Sequence, residues 1–264
     1  MVRARCLSVA VIGALLVACS ANATHGTPPV RPITVFAASS LQAAFTDAAR
    51  AYESAHPDVA LTFGFDASSA LRTKIEQGAP ADLLASADVI NAQKLVEDGF
   101  AIGRVQPFAG NQLAIVVPRD NPAHIETPLD LARSGVRLVA ASDGVPISTY
   151  AAQLIDALAR QPGYPPGYAT EVAANVASRE DNVAAVVAKV ALDEGDAGIV
   201  YRTDALASSG IKEIPIPVGV SVSVTYAGVV VKASGQPDAA RAFLSWLSGP
   251  SGQAVLARFG FVPP

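Results

Sequence analysis

The residues of this chain that could do chemistry are small and neutral. Four segments carry them: Ser39-Ser40, Asp66-Ala67-Ser68-Ser69, Val145-Pro146-Ile147-Ser148-Thr149 and Glu180-Asp181-Asn182-Val183. Each opens a stretch with a helical apolar stripe, and the first turn of a helix has backbone N–H groups with no intrahelical acceptor. A serine at such a junction can cap the helix by accepting from those groups. It can instead turn its hydroxyl to a ligand beside them, and a helix N-terminus with hydroxyls suits an anion. Converging, the four ends would form a nest of donors for a small anion without a formal positive charge. Ser39 and Gln42 have capping-box spacing, which gives Ser39 the cap and leaves Ser40 to face a ligand. Asp66 would repel an anion and is expected to face away.

The elements that must position these segments alternate. Strands are predicted at Ile33–Ala37, Val59–Phe65, Asp82–Ser86, Leu113–Val117, Val136–Ala141, Ala197–Tyr201 and Tyr226–Val231. Between them, Leu41, Phe45, Ala48 and Tyr52 share a helix face, as do Leu71 and Ile75 before Gly78. Val89 to Asp98 reads as a short helix closed by Gly99. Further stripes are Tyr150, Leu154, Ile155 and Leu158; Val183, Val186, Val187 and Val190; and Ala239, Phe243, Trp246 and Leu247. Gly249-Pro250 separates this last one from a final helix with Val255, Leu256 and Phe259. The alternation implies an α/β fold with largely parallel sheets. Leu113–Val117 and Tyr226–Val231 are candidate crossings between two lobes. The first lobe would be residues 33–112 plus 225–264 and the second 113–224, with a cleft at the C-terminal ends of the strands.

Composition narrows the function. The 264 residues carry a net charge of −4 with no basic patch, which disfavours nucleic acid as a partner. A serine hydrolase is disfavoured too. No Gly-x-Ser-x-Gly elbow surrounds Ser40 or Ser68, and only His56 and His124 lie in the folded part as bases, so the chain is not expected to be an enzyme. No histidine has metal-ligand spacing with a second His or Cys, and no cofactor is expected. Asp82 is expected to hold its loop, and Trp246 to pack on a helix face.

The leader fixes the compartment. Arg3 and Arg5 precede an apolar run, Leu7 to Val17, too short to span a bilayer comfortably. It ends in Leu16-Val17-Ala18-Cys19, which matches a bacterial lipoprotein signal in which cleavage precedes an acylated cysteine; an ordinary secretory signal is the alternative. Residues 1–18 are then the signal and 19–32 a small, polar tether. Cys6 would leave with the signal, so the mature chain could form no internal disulfide. The protein is expected to be lipid-anchored through Cys19 at the outer face of the cell membrane.

Several stretches carry a resemblance. Val35–Leu41, Ser68–Leu71 followed by Glu76-Gln77-Gly78-Ala79-Pro80-Ala81-Asp82-Leu83, Ser86-Ala87-Asp88, Gly198-Ile199-Val200-Tyr201 and Phe259-Gly260-Phe261 resemble the periplasmic molybdate-binding proteins of ABC importers, the ModA family. The similarity runs from about Ile33 to Phe261. It implies the two-lobed type II periplasmic binding protein fold, with a ligand cleft between lobes joined by a two-crossing hinge. It further implies that Ser40 and Ser68 bind molybdate or tungstate through hydroxyl and N–H, Ile147 and Val183 through backbone N–H, and Tyr201 through its phenol. Asn182 could cap its helix or reach the ligand. The partners implied are the oxyanion and an ABC permease with its ATPase, the chain being a monomer. A protein of the same fold for sulfate is the nearest alternative. Ferric-binding relatives favour adjacent tyrosines, and those of this chain are not adjacent.

Overall fold

The computed structural model describes residues 30–264; the leader, Cys19 and most of the tether lie outside the described residues. The first half of the chain places β1 (Arg31–Ala38), a 3-10 turn (Ser39–Leu41), α1 (Gln42–Ala55), β2 (Val59–Asp66), α2 (Ser68–Glu76), β3 (Leu83–Ser86), α3 (Val89–Glu97) and β4 (Ala101–Asn111). Arg31 and Pro32, assigned above to the tether, already belong to β1. Next come β5 (Leu113–Pro118), β6 (Leu138–Ala141), α4 (Pro146–Ala159), α5 (Tyr168–Ala174), β7 (Val176–Glu180), α6 (Val183–Ala191), β8 (Ala197–Tyr201), α7 (Arg202–Ala207) and β9 (Ile211–Ile214). The chain closes with β10 (Val224–Val231), α8 (Pro237–Ser248) and α9 (Pro250–Arg258). Three strands (β4, β7, β9) and two helices (α5, α7) were not anticipated.

The strands form two five-stranded sheets, in the orders β2-β1-β3-β10-β4 and β7-β6-β8-β5-β9. The sheets are mixed rather than largely parallel. In the first, β10 runs antiparallel to both β3 and β4; in the second, β5 runs antiparallel to both β8 and β9. These two strands adjoin the passages between the sheets. The chain leaves the first sheet after Asn111, enters the second at Leu113, and returns between Ile214 and Val224.

Register aligns the loops that matter. Ala38 pairs with Asp66 at the ends of β1 and β2, so Ser39-Ser40 and Ser68 leave one sheet side by side. Ala141 pairs with Glu180 at the ends of β6 and β7, which does the same for Pro146-Ile147 and Asn182-Val183. All four lie at C-terminal strand ends, where open α/β sheets place ligands.

Packing holds these ends still. Ile33, Val35 and Ala37 of β1 are fully buried, as are Phe45 and Ala48 of α1. Phe45 meets Phe63, Phe108 and Phe243 with ring centroids 5.8, 6.0 and 6.1 Å away, within aromatic contact range. Trp246 packs against Tyr52 and Phe243, and His56 stacks on Tyr52. Gly228 lets α8 approach β10: a Cβ there would lie 2.6 Å from Leu244 Cδ1 and 3.2 Å from the Leu84 carbonyl oxygen. Asp82 holds its loop, accepting from the Thr34 N–H at 2.8 Å and from Ser234 Oγ at 2.5 Å. A column of rings, Phe108, Tyr226, Tyr201 and Tyr150, runs from the first sheet's side to the second's.

Candidate anion-binding site

Ser40, Ser68, Ile147, Val183 and Tyr201 line one small space, with Asp66, Ala87, Val145 and Pro146 between them. The four chain segments singled out for their neutral donors therefore meet, two from each sheet. Tyr201, the last residue of β8, closes the set.

Neither serine caps a helix. Ala38 precedes the 3-10 turn and Ala67 precedes α2, and no side-chain cap bond forms at either. Ser68 Oγ accepts the Ala87 N–H at 2.9 Å, which leaves its own hydrogen uncommitted. Ser40 Oγ lies 2.8 Å from the Tyr226 phenol oxygen. Both serines are buried. The capping box expected of Ser39 is absent, because a 3-10 turn intervenes before α1; the Gln42 N–H bonds the Ser39 carbonyl instead. Backbone donors complete the picture. Ser68 and Val183 are the first residues of α2 and α6, and Ile147 the second of α4, so none has an intrahelical acceptor. Among the described residues, no hydrogen bond from a turn, loop or cap engages the N–H of Ser40, Ser68, Ile147 or Val183.

The Tyr201 phenol is the sharpest feature. Its residue is 1% exposed and its hydroxyl has no hydrogen-bond partner among the described residues. Burial raises its pKa well above the ordinary phenol value, so it is a buried O–H donor throughout the physiological range. An unpartnered buried hydroxyl costs about 1–3 kcal/mol.

Charged groups sit around this space under restraint. Asn182 caps α6, its Oδ1 accepting the Ala185 N–H at 3.0 Å. Its Nδ2 lies 3.4 Å from Asp66, across from one sheet's loops to the other's. Asp66, expected to face away, is among the lining residues. Its carboxylate is drawn to Lys74 and to the Ala67 N–H, both at 2.8 Å. Burial alone would raise its pKa, but Lys74, that N–H and Asn182 together hold it below the usual carboxylate range. Among the described residues no group of three His, Cys, Asp or Glu could hold a metal ion.

Asp204 in α7 behaves differently. Its Oδ2 is buried with no partner among the described residues, and burial pushes its pKa up to about 7, with the Tyr201 backbone N–H drawing it partly back. A folded-state carboxyl pKa above the unfolded one means the folded chain binds the extra proton. Stability should then fall as pH rises from about 4 through about 7. Melting temperatures across that window should show this slope, and Asp204→Asn should flatten it and raise stability at pH 8. A slope that survives the substitution would place the titrating group elsewhere.

The sequence reading missed Ala87, Asn111, Thr203 and Tyr226, whose bonds support the serines. Only the Ser86-Ala87-Asp88 run offered a signal, since a backbone N–H leaves no mark in residue type and the partners of Asn111 are remote in sequence.

Residues 33–262 match the family model of the bacterial extracellular solute-binding proteins. The molybdate-binding protein ModA of Mycobacterium tuberculosis is 34% identical over 261 residues, covering 97% of this chain and 95% of its own. The periplasmic molybdate-binding protein of Azotobacter vinelandii superposes with a TM-score of 0.73 at 21% identity, over 88% of this chain and 99% of its own. The sulfate-binding protein SubI of M. tuberculosis superposes with a TM-score of 0.77 at 21% identity, over 88% and 86%. Both structures have the fold of type II periplasmic binding proteins. With two sheets, donor-bearing loops at their C-terminal strand ends and this match across nearly its whole folded length, the chain belongs to the family of bacterial extracellular solute-binding proteins.

Proposed function

We propose that this protein binds molybdate, and tungstate equally, outside the membrane and hands it to an ABC importer permease with its ATPase. The observation that carries the reading is the convergence of Ser40, Ser68, Ile147, Val183 and Tyr201 on one space. The similarity to the M. tuberculosis molybdate-binding protein supports it. The five residues are the proposed ligand contacts. Each hydrogen bond to a charged partner contributes roughly 1.5–3 kcal/mol, so a few preorganised neutral donors suffice for tight binding. The shell selects as well as binds. Molybdate carries no proton at neutral pH and only accepts. Phosphate carries at least one and needs an acceptor, which the five contacts do not offer in these roles, while the nearby Asp66 carboxylate is engaged by Lys74, the Ala67 N–H and Asn182.

The working model has one lobe of residues 33–112 plus 225–264 and another of 113–224, closing on the ligand because only the closed state engages both. The leader is proposed to deliver the chain across the membrane and Cys19 to anchor it as a lipoprotein monomer. No catalytic step is proposed.

Calorimetry with molybdate, tungstate, sulfate and phosphate tests the reading. Molybdate and tungstate should bind alike, and phosphate at least a hundredfold more weakly, on the order of two lost charged hydrogen bonds. Sulfate offers the same acceptors and differs mainly in size. Sulfate binding as tight as molybdate would overturn the specificity, and no molybdate binding would overturn the function.

A further inference from the structure

A serine hydroxyl can donate or accept. Ser40 serves an unprotonated oxyanion only if its hydrogen points at the ligand, and a chain of fixed donors behind it determines that direction. Asn111 ends β4. Its Oδ1 accepts the backbone N–H of Gln112 at 2.8 Å. A backbone N–H can only donate, so the amide orientation is set and Nδ2 is the other arm. That nitrogen lies 2.9 Å from Thr203 Oγ1 and 3.3 Å from the Tyr226 phenol oxygen, one hydrogen for each. Tyr226 therefore accepts from Asn111. It has one hydrogen left, it is fully buried, and its remaining hydrogen-bond partner among the described residues is Ser40 Oγ at 2.8 Å. The phenol donates to Ser40, and the hydrogen of Ser40 is left to point onward.

We propose that Asn111 and Tyr226 are positioning residues that hold the Ser40 hydroxyl as a donor toward the bound oxyanion. Ser68 reaches the same polarity by a shorter route, its oxygen taken by the Ala87 N–H. Burial lifts the Tyr226 pKa well above the ordinary phenol value, so the relay keeps its proton across the physiological range. It also joins the two sheets, since Asn111 and Tyr226 belong to the first and Thr203 follows the last residue of β8 closely.

This inference rests on the molybdate reading, and one set of titrations separates the two. Wild type, Ser40→Ala, Tyr226→Phe and the double variant are titrated with molybdate and with phosphate. Tyr226→Phe should weaken molybdate about tenfold in the wild-type background and less than about twofold beside Ser40→Ala, because it acts through that hydroxyl. The molybdate-over-phosphate ratio should also shrink, since a released hydroxyl can turn its oxygen to a protonated anion. Should Tyr226→Phe fold poorly, Asn111→Ala keeps the Tyr226–Ser40 bond but frees its direction, and should give a smaller loss that again vanishes beside Ser40→Ala. Equal losses in both backgrounds with an unchanged ratio would overturn the relay alone. Wild type that gives no heat with molybdate would overturn the site reading and the relay with it.

Discussion

Tyr201→Phe should weaken molybdate binding by roughly ten- to a hundredfold while leaving the free protein as stable or more so. The two effects have one cause. The phenol is buried and its hydroxyl has no partner among the described residues. Removing a buried unsatisfied donor relieves a penalty of about 1–3 kcal/mol, and Phe retains the ring that packs 5.5 Å from Tyr226 and 6.3 Å from Tyr150. Removing a donor to a doubly charged anion forfeits about 1.5–3 kcal/mol of binding. A melting curve of the free variant and a molybdate titration therefore move in opposite directions. The wild-type affinity should also be free of any step from Tyr201 ionisation between pH 6 and 9, because burial holds the phenol protonated well beyond that range. A variant that melts lower and binds normally would mean that the hydroxyl serves the fold and not the ligand.

That opposition describes the site's design. Ser68 has its oxygen occupied by a backbone N–H, Asp66 has its charge absorbed by Lys74 and the Ala67 N–H, and Tyr201 is left unmatched. On the proposed function, the energy that would otherwise settle the free protein is available to a ligand with acceptors on every side. A cationic residue would bind anions more strongly at long range, but it would attract phosphate and molybdate alike. Neutral donors discriminate by proton content, which is the property the proposed function requires in water that also holds phosphate.

How far the sequence reveals this structure depends on burial. β1, β3, β5, β6, β8 and β10 lie inside their sheets and read as apolar runs. The three unanticipated strands are all at edges: β4 in the first sheet, β7 and β9 in the second. An edge strand needs only one paired side and can be polar or interrupted. β4 contains Gly103 and Pro107, β7 alternates half-buried and exposed residues, and β9 carries Lys212 and Glu213 at its centre. α5 and α7, at seven and six residues, are too short to show a stripe. Strand direction was invisible because β5 and β10 owe it to the passages between sheets. In the site, the serines at Ser40 and Ser68 stand out as hydroxyls at strand-to-helix junctions, whereas Tyr201 is marked only by the resemblance of Gly198-Ile199-Val200-Tyr201. The Ser39 box failed because sequence spacing could not distinguish a 3-10 turn from the first turn of α1. Asn111 and Tyr226 meet from 115 positions apart, which no local pattern encodes.

Val183→Pro should cost molybdate roughly ten- to a hundredfold in affinity with little loss of stability, and Val183→Ala should do the reverse. Side-chain identity says nothing about a backbone donor, so the test has to remove the N–H itself. Val183 allows that. It is the first residue of α6, the one helical position where proline is favoured, since its missing N–H has no intrahelical acceptor there. The residue before a proline must be extended, and Asn182 already is, at φ −156° and ψ 170°. Its cap to the Ala185 N–H need not change. The proline ring also fills most of the volume of the buried valine side chain. Alanine keeps the N–H and removes buried methyl groups, so its penalty of about 1–2 kcal/mol should fall on the melting temperature instead. Chemical denaturation and calorimetry on both variants give a crossed pattern if the N–H is a ligand donor. Wild-type affinity in the proline variant would remove Val183 from the binding shell and leave the second sheet's contribution to Ile147 and Tyr201.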